Sequence, residues 1–296
     1  MLANFNRALR LPFTSASILP YIFGSFIVKE YFNLHTFCLG LIAVVGMHLN
    51  SNLMNDCADS KSSADWQDKK FYGFFGGSKL IQEGALSERW YFGWSIFFAG
   101  CSVAAVIVLC LILKSPIAFY AFLFILALAW SYSHKPLQFS YRRMGEFVIF
   151  VLFGPALVMG AYYIQSSIFP DPKSFMLSLP FGFFTTGILF ANEIPDYPED
   201  KKCAKFTWVS ILGPKRSYLL YVMIMGAGVF SIIANVFLSY LSNISLFSLL
   251  LLPLMFKAAA ILKKHTDDKE KLIQSSKLTI LIQALASIIL IVDAII

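Results

Sequence analysis

Residues 37–70 read FCLGLIAVVGMHLNSNLMNDCADSKSSADWQDKK. The almost unbroken apolar run of residues 37–47 gives way at His48, and three asparagines and four aspartates then fall within 19 residues. With the residues before it, the apolar part is long enough to cross a bilayer, which takes about 20 mostly apolar residues in a helix. Asn52, Asn55, Asp56 and Asp59 follow at i, i+3, i+4 and i+7, which puts them in one stripe on a helix. The expected unit is a membrane-crossing helix whose end carries carboxylates on one face.

The composition agrees. The chain has 296 residues, 58% hydrophobic and 14% charged, and its mean hydropathy is +0.69. Soluble domains carry about a quarter charged residues, so an all-α polytopic membrane protein is expected. Nine spans are legible, at roughly 13–32, 34–55, 91–113, 116–133, 146–168, 174–194, 217–239, 243–262 and 278–296. They are read as one transmembrane domain over 1–296, a bundle around a central cavity with a cap on one side. Arg7 and Arg10 precede an apolar stretch that runs on as a full span, so a span is expected there and a cleaved signal is not. The five cysteines form no CxxC pair, which argues against a disulfide framework or a zinc site. The net charge of +7 comes without basic blocks interleaved with aromatics, so no nucleic-acid partner is expected.

The cations have a topological meaning. Counted by loop, 21 of the 24 basic residues fall on one side of the nine spans, and Lys29, Lys114 and Lys173 fall on the other. Such asymmetry marks the basic side as cytoplasmic, in the inner or plasma membrane if the source is bacterial. Reporter fusions after Lys70 and after Lys269 are therefore expected to read cytoplasm, and one after Lys173 the opposite side. An outside signal at Lys70 would overturn this topology.

A second acidic cluster, ANEIPDYPEDKK (residues 191–202), places Asn192, Asp196 and Asp200 at i, i+4 and i+8, with Glu193 and Glu199 beside them. Pro195 and Pro198 are expected to kink or end that helix, so the cluster should sit at the mouth of a cavity. Both clusters fall at the same ends of spans two and six and can face one another. Aspartates at a helix C-terminus oppose the macrodipole, and one Asp at the bilayer centre costs about 2.5–3.5 kcal/mol on insertion scales. A bound divalent cation compensates such a cluster. Oxygen-only ligands from Asp and Asn suit a hard ion such as Mg²⁺, which keeps waters and takes phosphate oxygens as further ligands. Asp68 lies outside both stripes and is expected to matter little.

NLMNDCADSKSSAD (52–65) followed by FFGGSKLIQEGALS (74–87) resembles the first signature of the UbiA superfamily of intramembrane aromatic prenyltransferases. NEIPDYPEDKKCAKFTWVSILG (192–213) resembles the second, and LRLPFTSASILPYIFGS (9–25) fits the first helix. YRRMGEFVIFVLFGPALVMGAYYIQ (141–165) is similar to the intervening segment of the menaquinone branch, the 1,4-dihydroxy-2-naphthoate prenyltransferases. Two positions depart from the pattern: Ala204 stands where the family usually has Gly, and Pro198 replaces a non-proline residue. The resemblance implies a nine-helix fold and transfer of a polyprenyl group from its diphosphate to an aromatic acceptor with Mg²⁺. By it, Asn52, Asp56 and Asp59 hold one ion and Asp196 and Asp200 the other. Lys135 and Arg142 grip the diphosphate, Lys205 and Lys79 are further candidates, and Tyr141 helps orient it. Asp65 also matches, as a ligand or as a residue that orders the loop. Phe150, Phe153 and Phe184 are candidates to face the allylic cation, and Glu146 is one candidate base. Gly154, Gly160, Gly182 and Gly187 are read as sites of close helix approach.

Rival readings are a cation-coupled membrane carrier, for which paired carboxylates would mark an ion path, and a metal-stabilised scaffold without activity. The carboxylates sit at one end of the spans, which disfavours the carrier. Among aromatic acceptors, 4-hydroxybenzoate and a tetrapyrrole stay open beside the naphthoate.

Overall fold

The computed structural model describes residues 2–61, 66 and 68–296. The described residues form helices α1 (Leu2–Leu9), α2 (Ser15–Phe26), α3 (Leu34–Lys61), α4 (Glu88–Leu113), α5 (Ile117–Ser133), α6 (Gly145–Val151), α7 (Leu157–Ser166), α8 (Pro172–Lys202), α9 (Trp208–Leu212), α10 (Pro214–Phe237), α11 (Leu252–Lys264) and α12 (Lys269–Ile295). A π-helical segment, Leu152–Ala156, joins α6 to α7 around Pro155. It absorbs the proline as a local bulge, so one continuous span survives.

Among the described residues seven stretches are long and apolar enough to cross a membrane: Leu34–Lys61, Glu88–Leu113, Gly145–Ser166, Pro172–Lys202, Pro214–Phe237, Asn243–Lys264 and Lys269–Ile295. The other two expected spans are shorter. Helix α5 is an apolar helix of 17 residues, and α2 has 12, flanked by 3-10 turns at Leu11–Phe13 and Lys29–Tyr31. The protein is an all-α polytopic membrane protein. Phe230, Phe237, Leu250 and Leu111 are largely exposed on the outside of the bundle, as lipid-facing residues are.

Helix α8 is the axis of the bundle. Of its most apolar window 72% is buried, against 39% or less for the other six long spans, and it packs on α10, α12, α6 and the π segment. Small residues allow these approaches. A Cβ on Gly154 would meet the Gly182 Cα at 2.9 Å, and one on Gly187 would meet the Met225 sulfur at 2.4 Å. Gly160 differs: nothing lies within 4 Å of its Cβ position, and it lines the cavity described below. Helix α8 does not end at its prolines, one of the two outcomes expected of them. It contains Pro180, Pro195 and Pro198 and still runs to Lys202, because packed neighbours can re-satisfy the backbone groups that a proline frees. The second acidic cluster therefore rides on an unbroken helix.

Candidate active site

Helices α2, α3, α5, α7 and α8 contribute to a cavity of about 400 Å³, a volume typical of small-molecule sites. Its walls change character along their depth. Toward one end the lining includes Val106, Leu109, Phe122, Ile125 and Leu157; toward the loops it includes Asn52, Asp59, Asp196, Asp200, Lys205 and Lys269. An apolar sleeve thus opens into a charged head.

A loop closes the charged head. The Gly76 N–H donates to Asp196 Oδ2 at 3.2 Å, and the Ser78 N–H donates to Asp56 Oδ2 at 3.3 Å, so one short segment ties both acidic clusters together. Gly76 and Gly77 have φ of +71° and +74°, the left-handed region in which glycine carries no steric penalty. The start of α12 clamps the same loop. Lys269 Nζ lies 2.9 Å from Asp68 Oδ2 and 2.8 Å from Glu199 Oε2, and Lys70 pairs with Glu270. Burial alone would raise the Asp68 carboxyl. The Lys70 amide and the Lys269 ammonium outweigh it and hold Asp68 below the usual carboxylate range.

A second segment approaches from the end of α8. Lys205 Nζ lies 3.2 Å from Asp200 Oδ1 and 5.8 Å from the Tyr141 ring centroid. The Phe206 N–H donates to the Tyr141 carbonyl at 3.1 Å, and the Tyr141 hydroxyl donates to Asp59 Oδ1 at 3.3 Å. Burial would lower the Lys205 pKa, but Asp200, Asp59 and Asp196 together hold it well above the ordinary lysine range. Lys205 stays a cation among carboxylates. Ala204 sits just before it with φ of +55°, a conformation costing an L-residue about 1–2 kcal/mol. That is the physical meaning of the departure from Gly at this position.

The structure brings together most of the residues singled out from the sequence. Asn52, Asp59, Asp196, Asp200, Lys205 and Lys79 line the cavity, and Tyr141 touches its edge through Asp59. Asn52 Nδ2 donates to the Leu9 carbonyl at 3.0 Å, which leaves its amide oxygen directed by that bond. Asp56 is buried behind the cavity wall and 3.0 Å from Arg10. It lies at the edge of the stripe, toward Leu53 and Cys57, which pack with Leu9, Leu80 and Tyr91.

Other placements correct the sequence reading. Lys135 and Arg142 are exposed and outside the cavity lining. Arg142 Nη2 donates instead to the Pro136 carbonyl of its own loop at 2.9 Å. Asp68, expected to be peripheral, lines the cavity and holds Lys269. Asp65 lies outside the described residues. Of the three phenylalanines, Phe153 lines the cavity, whereas Phe150 packs on Gly182 and Phe184 on Gly228. Glu146 is buried outside the lining. Arg10 and Lys269, read from the sequence only as topological cations, reach the cavity. Their loop charge gave no sign of it, since reaching the head depends on how α1 and α12 dock.

The donor set fits a hard divalent ion. Carboxylate and amide oxygens from Asn52, Asp59, Asp196 and Asp200 line the charged head, and the cavity lining contains no thiol. Among the described residues no three acidic, His or Cys side chains stand close enough to enclose a metal by themselves. An ion held here would complete its shell with water and phosphate oxygens, as Mg²⁺ does.

The model of the UbiA prenyltransferase family matches residues 17–281. The chain is 26% identical over 236 residues to the UbiA prenyltransferase domain-containing protein 1 homolog of Drosophila melanogaster, covering 76% of this chain and 62% of that relative. The chain thus spans less than two thirds of that relative's length. It is 28% identical over 161 residues to the 1,4-dihydroxy-2-naphthoate octaprenyltransferase of Mycobacterium tuberculosis, 53% of each chain. Its fold is that of a UbiA homolog from Aeropyrum pernix, with TM-score 0.73 at 19% identity over 94% of this chain and 97% of that one. A UbiA homolog from Archaeoglobus fulgidus bound to DMAPP and Mg²⁺ superposes with TM-score 0.67 at 17% identity, over 97% and 99%.

Proposed function

Because the chain belongs to the UbiA prenyltransferase family, we propose that it transfers a polyprenyl group from a polyprenyl diphosphate to an aromatic acceptor, 1,4-dihydroxy-2-naphthoate, in quinone biosynthesis. The observation that carries this reading is the cavity with an apolar sleeve and a carboxylate-and-lysine head tied together by Gly76 and Ser78. Its shape matches a substrate that is a hydrocarbon chain at one end and a polyanion at the other. The naphthoate is supported by the menaquinone-type segment at 141–165 and by the named activity of the Mycobacterium tuberculosis relative.

Asn52, Asp59, Asp196 and Asp200 would hold Mg²⁺, with Asp56 fixing Arg10 and the Ser78 loop behind them. The ion would neutralise charge on the diphosphate as the allylic C–O bond breaks and the electron pair leaves with it. Lys205, Lys79 and Lys269 bring fixed positive charge to the same head, and preplaced charge stabilises a transition state without reorganising. Tyr141 orients Asp59. Val106, Leu109, Phe122 and Ile125 exclude water from the prenyl chain. The ring carbon of the acceptor then bonds to the allylic carbon and loses its carboxylate as CO₂. The charged head faces the cytoplasm in this reading, as the basic loops predict.

Membranes carrying the protein, given labelled prenyl diphosphate, Mg²⁺ and 1,4-dihydroxy-2-naphthoate, are expected to form a prenylated product that lacks the carboxylate. Mass spectrometry reads both features at once. Turnover of 4-hydroxybenzoate or a tetrapyrrole with none of the naphthoate would move the acceptor and leave the diphosphate site standing. Metal-coupled transport of an ion with no prenyl transfer would favour the carrier.

A further inference from the structure

The line on α3 that faces the cavity begins one turn earlier than the carboxylates. His48, Asn52, Asn55 and Asp59 fall at i, i+4, i+7 and i+11, and all four line the cavity. His48 is 8% exposed. Its Nδ1 is 2.6 Å from the Ser17 hydroxyl on α2, and Ser17 is buried too. Its other ring nitrogen, Nε2, is buried and has no hydrogen-bond partner among the described residues. The Phe153 ring stands edge-on to the imidazole, with centroids 5.8 Å apart.

An unpartnered buried polar atom costs about 1–3 kcal/mol, and native proteins keep few of them without a reason. A reason is available from position. His48 lies four residues before Asn52, about 6 Å along the helix axis at 1.5 Å per residue, on the side away from Asp59. A diphosphate seated at Asn52, Asp59 and Asp196 with its chain in the apolar sleeve would bring its allylic carbon toward that level, where an acceptor ring would meet it. Phe153 stands against the imidazole, and Ala16, Tyr21 and Met47 line the same cavity, so Nε2 is a bare acceptor on a wall that also carries apolar and aromatic groups.

On the reading that the cavity takes an aromatic acceptor, we propose that His48 Nε2 accepts a hydrogen bond from a ring hydroxyl of that acceptor, with Ser17 accepting from Nδ1–H to hold the imidazole in place. His48 is then the residue that selects a hydroxylated ring and sets which ring carbon faces the allylic carbon. The hydrogen bond also feeds electron density from the hydroxyl oxygen into the ring as its carbon forms the new C–C bond. The Ser17 contact fixes both tautomer and ring orientation, as a partner on the second nitrogen does for functional histidines.

The test compares 1,4-dihydroxy-2-naphthoate with its two mono-O-methyl ethers, on wild type, His48→Phe and Ser17→Ala. A site built to bind a hydroxyl rejects the analogue that cannot donate. Wild type is expected to prefer the dihydroxy acceptor over one of the two ethers by ~10²-fold in kcat/KM. In His48→Phe that ratio should collapse to about threefold or less through loss on the dihydroxy substrate, with Ser17→Ala in between. The KM for prenyl diphosphate should stay within about twofold of wild type. A role in packing alone, or a water bound at Nε2, would leave the ratio unchanged, and that result overturns the proposal. So does a parallel rise in the KM for prenyl diphosphate. Should His48→Phe fail to fold, equal wild-type turnover of the dihydroxy compound and both ethers is enough to overturn it, and a preference that Ser17→Ala weakens supports it. Should wild type ignore the naphthoate but alkylate another hydroxylated ring, the naphthoate reading falls and the same comparison is made on that ring and its ether. If no hydroxylated ring is alkylated, both fall.

Discussion

Asp196→Asn is expected to lower prenyl transfer at least ~10²-fold, the scale for losing one preplaced electrostatic stabiliser. Asp196 lines the cavity and accepts from the Gly76 amide, so the substitution removes a proposed metal ligand and weakens the hold on the loop together. Asp56→Asn is expected to cause a loss of similar size by a different route. Asp56 lies behind the wall, paired with Arg10 and the Ser78 amide. With the Asp56 charge gone, Arg10 is poorly compensated and the Ser78 amide keeps only a neutral, weaker acceptor on that side. The two variants differ in stability. Asp56→Asn should lower the melting temperature in detergent with or without Mg²⁺, whereas the effect of Asp196→Asn should be visible mainly in Mg²⁺-dependent turnover. The double variant should be far from additive, because groups that act as one unit fail together. Well-folded Asp56→Asn and Asp196→Asn proteins with near-normal Mg²⁺-dependent turnover would sink the mechanism.

Lys205→Met is expected to be nearly as severe. Lys205 pairs with Asp200, and Asp59 and Asp196 also act on it. Without it the carboxylates face each other with less positive charge among them. Breaking a buried pair by removing one partner costs roughly 3–5 kcal/mol, an upper bound here because the Lys205 side chain keeps 18% of its surface exposed. The melting temperature should fall most in the absence of divalent ions, and added Mg²⁺ should restore part of it by binding the folded state. Turnover should stay low even in Mg²⁺, since the ion cannot replace a fixed charge on the leaving diphosphate. A Lys205→Met protein with unchanged stability in chelator and an unchanged KM for prenyl diphosphate would show that Lys205 only closes the loop.

Fold class and most of the acidic head follow from local patterns in the chain. Apolar runs of about 20 residues dictate spanning helices in any bilayer, and the i, i+4 spacing of Asn192, Asp196 and Asp200 places those side chains on one face of a helix wherever it docks. The same holds for Asn52, Asn55 and Asp59. Two kinds of fact depended on tertiary structure. Span length is one: α2 proved shorter than its apolar run, because hydropathy does not reveal where the backbone turns. Partnership across elements is the other. Asp56 and Asp59 are three residues apart, yet one meets Arg10 and the other Tyr141. Arg142 bonds within its own loop, while Lys269, 69 residues beyond Asp200, reaches the head. His48 is marked in the sequence only as the end of an apolar run, and it takes the contact with Ser17 to hold one nitrogen while the other has no partner among the described residues. Periodicity sets which residues share a face of one helix; which faces meet is decided by long-range packing that no local spacing encodes.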